Sequence, residues 1–243
     1  MGKIIARKLD EAEDGLAGYI AHPDRDIPGP ALLVIHHNHS LSAELVMEAY
    51  DWAARGYTVV IPALFVMAGF REPFVPGSGR EIQKQTSDPK FIAIIRKGWD
   101  MLAARSDVDA GRIGVIGYCM GGRLGVHFVA ATPEVRCFVT YYPSIKDEPE
   151  TEIRPVHALR PVKDIRCPTF VVFGGDDRVV PNDMQIRIMQ TLMENGTPFE
   201  WHFYSHGKHG AAAPASDGYQ PELARRIHPL AAGFLARELG GAP

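Results

Sequence analysis

Gly117-Tyr118-Cys119-Met120-Gly121-Gly122 has the form G-x-C-x-G and stands between an apolar run and a helix-length segment. In the G-x-S-x-G version of this spacing the nucleophile sits on a sharp strand-to-helix turn, where only small neighbours fit. A thiol placed there projects above the strand's carboxyl end and meets the positive end of the helix dipole. That environment favours the thiolate over a free thiol of pKa about 8.5. A lone cysteine in a glycine-rich turn is more often a packing residue; the strand–turn–helix setting points to a nucleophile instead. A nucleophilic thiol needs a base, and the base needs an orienting group. Gly174-Gly175-Asp176-Asp177-Arg178-Val179-Val180-Pro181 follows another apolar run and offers Asp177 or Asp176, although Asp is common at helix starts in any case. Gly207-Lys208-His209-Gly210 follows the last apolar run and offers His209. Three separate post-strand loops thus supply a nucleophile, an acid and a base, in that chain order.

Two histidine groups, His36, His37 and His39 and then His202, His206 and His209, invite a metal site. Read as strand residues, His36 and His37 point to opposite faces, and His202 lies in a strand pattern rather than on an H-E-x-x-H helix. The competing reading is an oxyanion loop, with the backbone N–H groups of Asn38 and Met120 facing the developing charge. No metal is assigned, and no organic cofactor is implied, because no phosphate-cradling glycine loop is present. A metal-dependent hydrolase built on the histidines and a non-catalytic, redox-sensing thiol protein are the alternatives in other classes.

The elements that must position these groups alternate. Strands are expected at Ala31–Ile35, Tyr57–Ile61, Arg112–Ile116, Val135–Tyr141, Thr169–Phe173 and Pro198–Tyr204. Helices are expected at Leu41–Arg55, Pro89–Arg105, Cys119–Ala131, Pro181–Asn195 and Gln220–Leu239. This alternation implies an α/β class with a parallel sheet covered on both faces, and Lys3–Leu9 with Gly15–Ala21 forms an antiparallel edge. Residues 1–243 read as a single domain with two long rim connections, 63–88 and 143–167, of the kind that serve as lids. Phe65, Phe70, Phe74 and Tyr142 lie in or beside those connections and are candidates to line a pocket. Trp52, Trp99, Cys137 and Cys167 fit packing positions.

Composition removes several classes. The 243 residues carry 26 basic and 29 acidic side chains, a formal net charge of −3, so no basic field attracts nucleic acid or an anionic membrane. The most apolar stretch, Tyr57 to Phe70, is broken by Pro62 and is shorter than the roughly 18 residues that span a bilayer. Three cysteines argue against a disulfide framework, and Met1 to Ala6 shows no secretory apolar core. Reduced thiols in the cytoplasm are the expectation.

Taken together, these motifs make the chain resemble the dienelactone hydrolase (carboxymethylenebutenolidase-like) family of the α/β hydrolase superfamily, over nearly its whole length. The resemblance is carried by the apolar strand before His36, Arg55-Gly56-Tyr57 running into Pro62, the Gly-Tyr-Cys-Met-Gly-Gly turn, Gly-Gly-Asp-Asp-Arg-Val-Val-Pro and the late His-Gly. It implies the α/β-hydrolase fold, a mostly parallel central sheet with helices on both faces. It also implies a Cys–His–Asp triad of Cys119, His209 and Asp177 that cleaves a small-molecule ester or lactone through an acyl-thioenzyme, with a homodimer left open. The chain also departs from the family. His37 stands where members commonly carry a glutamate, the arginines that grip a substrate carboxylate fall near Met67 and Ala213, and the block between Pro143 and Cys167 is longer than usual. The implied substrate is therefore uncharged or weakly polar, in a pocket drawn from His37, Phe65, Met67, Phe70 and Tyr142.

Overall fold

The computed structural model describes residues 2–75 and 77–240. One eight-stranded sheet organises it, in the order β1-β2-β4-β3-β5-β6-β7-β8. The strands are β1 (Ile4–Leu9), β2 (Gly18–Pro23), β3 (Gly29–Ile35), β4 (Thr58–Pro62), β5 (Val108–Tyr118), β6 (Cys137–Tyr141), β7 (Thr169–Gly174) and β8 (Phe199–Tyr204). β3 through β8 run parallel; β1 and β2 are antiparallel to each other, and β2 to β4. The central strands β3, β4, β6 and β7 are buried along their whole length, which is why they read as unbroken apolar runs rather than alternating ones. At the exposed edge, β1 carries Arg7 and Lys8, charges that discourage pairing with another sheet.

The helices are α1 (Glu11–Asp14), α2 (Ala43–Ala54), α3 (Leu64–Met67), α4 (Ser78–Gln85), α5 (Asp88–Ala103), α6 (Met120–Ala130), α7 (Asn182–Glu194) and α8 (Pro221–Leu239). Neighbouring residues of β6 show which layers they form, because side chains alternate across a strand. Phe138 points at Gly125 of α6, whereas the Cys137 sulfur points the other way and meets Leu239 of α8 over Gly114. Helices α6 and α8 therefore cover opposite faces. Among the described residues no helix is long and apolar enough to cross a membrane.

The two rim connections carry structure of their own. The connection 63–88, of which residue 76 lies outside the described residues, is not an open loop: it holds α3 and α4, and Phe65 within it is fully enclosed. The connection 143–167 is tied down by a 3₁₀ turn at Arg160–Asp164 and by the Asp88 amide donating to the Ile153 carbonyl at 2.8 Å. β3 also ends at Ile35, so His36 and His37 belong to a loop and not to the strand. Loop geometry, rather than strand alternation, decides where their rings go.

The topology reverses at β3, since the two strands that follow it in the chain, β4 and β5, lie on opposite sides of it in the sheet. Such a switch point leaves a crevice outside the strands' carboxyl ends. Ile35 pairs with Gly117 across β3 and β5, so the loop after Ile35 and the turn after Tyr118 leave the sheet side by side. Farther along, Gly174 pairs with Tyr204, which sets the segments after β7 and β8 together. Backbone bonds zip those two segments: Gly175 N–H to the Tyr204 carbonyl at 2.9 Å and Asp176 N–H to the Gly207 carbonyl at 3.0 Å. A Cβ on Gly174 would overlap the Gly207 backbone. Gly174→Ala is accordingly expected to lower stability by about 1–3 kcal/mol, the usual cost of overpacking, read as a lower urea midpoint.

Candidate active site

Cys119 occupies the turn between β5 and α6 with φ 52° and ψ −110°, a combination that L residues rarely adopt. The glycines around it are what allow the turn. A Cβ on Gly117 would come within 2.6 Å of the Gly121 carbonyl oxygen, and one on Gly121 would overlap the carbonyl of Ile35 at the end of β3. Hydrogen bonds then hold the cysteine on both sides: its N–H donates to the Tyr141 carbonyl at 3.0 Å, and its carbonyl accepts from Arg123 and Ser144 amides at 3.1 and 3.0 Å. The side chain is half-buried and the thiol is free.

His209 Nε2 lies 2.9 Å from Cys119 Sγ, and its Nδ1 lies 2.9 Å from Asp177 Oδ2. Asp177 is itself fixed, because its Oδ1 accepts the Val179 and Val180 amides at 2.7 and 2.9 Å. Its carboxylate is almost wholly enclosed, with 1% exposure. Asp176, the other candidate, faces the exposed His206 across 3.5 Å and takes no part. Burial alone would lower the His209 pKa, but the hydrogen bonds to Asp177 and Cys119 outweigh it and raise the imidazole to about 9. A thiol, an imidazole and a carboxylate in this line can move a proton between sulfur and a departing oxygen.

Two amides are expected to face an oxyanion. The Met120 N–H opens the first turn of α6, and the Asn38 N–H lies in the turn that follows β3. Neither has a hydrogen-bond partner among the described residues. Helix α4 covers this turn, since a Cβ on Gly79 would overlap the Asn38 carbonyl.

The histidines do not converge on a metal. His36 Nε2 accepts the Leu64 amide at 3.1 Å while its Nδ1 contacts the His37 carbonyl at 2.6 Å. His37 Nδ1 accepts the His39 amide at 3.1 Å, leaving Nε2 to donate to Glu44 at 3.2 Å. His202 stacks on Phe170. Among the described residues no group of three His, Cys, Asp or Glu side chains has the placement of a metal site.

Of the expected pocket residues, only His37 lines the cleft of about 500 Å³ that opens between α2 and α8. Phe65 is sealed in the core against His36 and Phe91. The Met67 sulfur accepts the Ala17 amide at 3.1 Å, and Phe70 packs against the core. Tyr142 is enclosed, its ring 5.0 Å from His209 and its hydroxyl without a partner. That cleft is lined by Glu48, Trp52, Tyr118, Ala213 and His228, and not by Cys119, Asp177 or His209. Glu48 Oε1 accepts both Tyr118 Oη at 2.6 Å and Trp52 Nε1 at 2.9 Å. Ser42 and His37 bind Glu44, whose carboxyl burial would raise but these bonds bring down to about 2. Glu48 could have been noticed in the sequence, as a carboxylate among the apolar positions Leu45, Ala49 and Trp52 of α2.

Residues 16–239 match the model of the dienelactone hydrolase family. A Bradyrhizobium protein provisionally named a 2-oxo-3-(5-oxofuran-2-ylidene)propanoate lactonase is 23% identical, the match covering 85% of this chain and 83% of that protein. The carboxymethylenebutenolidase homolog of Rattus norvegicus is 25% identical, over 72% of this chain and 70% of its own. A crystal structure from Klebsiella pneumoniae, provisionally named a dienelactone hydrolase, superposes with a TM-score of 0.85 at 22% identity and covers 97% of this chain and 99% of that one. The structural likeness establishes the α/β-hydrolase fold.

The raised His209 makes a signed prediction. Its folded value lies above the unfolded one, so the stability it contributes is fully present below about pH 6.5 and is lost as the pH rises through about 9. The urea midpoint of the wild type relative to His209→Gln is expected to be highest near pH 6 and to shrink by pH 10. In an imidazole NMR titration, Asp177→Asn is expected to move His209 down toward its ordinary range.

Proposed function

The chain belongs to the dienelactone hydrolase family, and on that premise we propose that it is a hydrolase of carboxylic esters or lactones with Cys119 as nucleophile, His209 as base and acid, and Asp177 as orienting group. The observation that carries this reading is the unbroken 2.9 Å and 2.9 Å line from Cys119 Sγ through the His209 ring to Asp177. In the mechanism it supports, His209 Nε2 accepts the thiol proton as Sγ attacks the carbonyl carbon. The carbonyl electron pair moves onto oxygen, and the Asn38 and Met120 N–H groups stabilise that charge. The intermediate collapses, the bond to the alcohol oxygen breaks, and His209 returns the proton to it. Water, deprotonated by His209, then attacks the thioester, and Sγ leaves with the proton restored. Asp177 keeps the Nδ1 proton in place and stabilises the imidazolium throughout.

The side chains near the site also bear on the substrate. Ala213, which lines the cleft, cannot pair with a carboxylate, which favours an uncharged or weakly polar ester. The free thiols Cys119, Cys137 and Cys167 suit a cytoplasmic setting.

A panel of activated aryl esters and simple lactones, assayed with the wild type beside Cys119→Ala, tests the reading. Turnover is expected in the wild type and a loss of at least about 10³-fold in the variant, as when a nucleophile is removed from a triad. Full activity in Cys119→Ala would remove Cys119 from the role.

A further inference from the structure

The N–H of Asn38 belongs to the same planar unit as the carbonyl of His37, and in a trans peptide the two point in opposite directions. Whatever grips the His37 carbonyl therefore aims the Asn38 N–H. Two donors grip it: His36 Nδ1 at 2.6 Å and the Ser40 amide at 3.3 Å. The Cys119–Met120 peptide is arranged the same way. Its carbonyl accepts from the Arg123 and Ser144 amides at 3.1 and 3.0 Å. In both units the carbonyl is doubly held, and the N–H has no partner among the described residues. Hydrogen bonds to a carbonyl also polarise the attached N–H and strengthen it as a donor, by roughly 10–30% per bond.

We propose that His36 is a positioning residue for the oxyanion site: its imidazole holds the His37–Asn38 peptide so that the Asn38 N–H faces the reacting carbonyl oxygen. This rests on the catalytic reading above, and it adds a side chain that touches neither substrate nor the reacting sulfur. The ring is well suited to the task. It is 0% exposed and stands edge-on to Phe65, with centroids 5.0 Å apart at 83°. Its Nε2 accepts the Leu64 amide at the start of α3, so the proton must reside on Nδ1, where it donates to His37. Burial pushes the His36 pKa down to about 3, which leaves a single neutral tautomer across the working pH range. Only one other donor to the two carbonyls, the Ser40 amide, lies on the same loop; the elbow peptide is held by backbone alone. His36 is thus the side chain through which the loop half of the oxyanion site can be altered without touching its N–H donors.

Two variants and one probe separate this role from simple packing. His36→Leu removes both bonds of the ring. His36→Asn keeps a donor near the Nδ1 position and gives up the bond to Leu64. Each is assayed for kcat and KM on an activated aryl ester, and for the rate of Cys119 alkylation by iodoacetamide. In that alkylation sulfur displaces iodide, and no oxyanion forms. For His36→Leu the expected result is a kcat about 10- to 100-fold lower, with KM and the alkylation rate within about twofold of wild type. His36→Asn is expected to recover most of the lost kcat. The proposal is overturned if folded His36→Leu keeps its kcat, if alkylation falls in step with turnover, or if His36→Asn is as impaired as His36→Leu. Should His36→Leu fail to fold, His36→Asn decides alone: kcat near wild type supports the proposal, and a loss of 10-fold or more overturns it. Failure of the underlying catalytic reading would look different, with turnover persisting in Cys119→Ala.

Discussion

A cysteine backbone held at φ 52° and ψ −110° is the constraint on which the site depends. Such a conformation costs of the order of 1–3 kcal/mol and persists only where the surroundings over-determine it. Here they do so through a hydrogen bond from its N–H to β6, two bonds to its carbonyl, and glycines that let α6 start against the end of β3. The result is a side chain lifted off the sheet and, beside it, an amide, Met120 N–H, with no partner among the described residues. Relaxing the turn would lower the local energy and dissolve both features. The stability that maintains the strain comes from the buried central strands, which leave the turn no room to relax.

Sheet register does the rest of the assembly. The pairing of Ile35 with Gly117 puts the Asn38 turn beside the cysteine, and that of Gly174 with Tyr204 puts the Asp177 and His209 segments against each other. Each functional group arrives on a loop, but each loop begins at a residue whose position is set by a hydrogen-bonded ladder. This is how segments separated by 90 residues in sequence meet at 2.9 Å. The buried carboxylate of Asp177 then helps raise the proton affinity of the imidazole, to a pKa of about 9, and the two bonds from backbone amides keep that carboxylate from turning away.

Much of this was legible in the sequence, for physical reasons. Cys119 and Asp177 follow apolar runs, the mark that strands buried on both faces leave without alternation, whereas His209 follows the edge strand β8, where Glu200 and His202 alternate with aromatic residues. The glycines at 117 and 121 were legible because close approach of backbone to backbone admits no other residue. Phe65 was misplaced because two short helices hide in a Pro-rich stretch whose periodicity is too brief to show. The hydrogen bonds of His36 and His37 were not legible, because both residues lie past the expected strand end at Ile35 and their partners include the amides of Leu64 and His39, which no spacing rule predicts. The cleft around Glu48 was missed for a similar reason: it is made by α2 and α8, which are far apart in sequence and meet on one face of the sheet.

The central claim is that catalysis passes through an acyl group on Cys119. Mixing the protein with excess 4-nitrophenyl ester, quenching in acid within the first turnover and weighing the protein and its peptides tests it most directly. The account predicts a burst of nitrophenol and a mass increase equal to the acyl group, confined to the peptide that carries Cys119 and lost as the ester is exhausted. An adduct on any other side chain, or turnover without a burst from protein of unchanged mass, would contradict it.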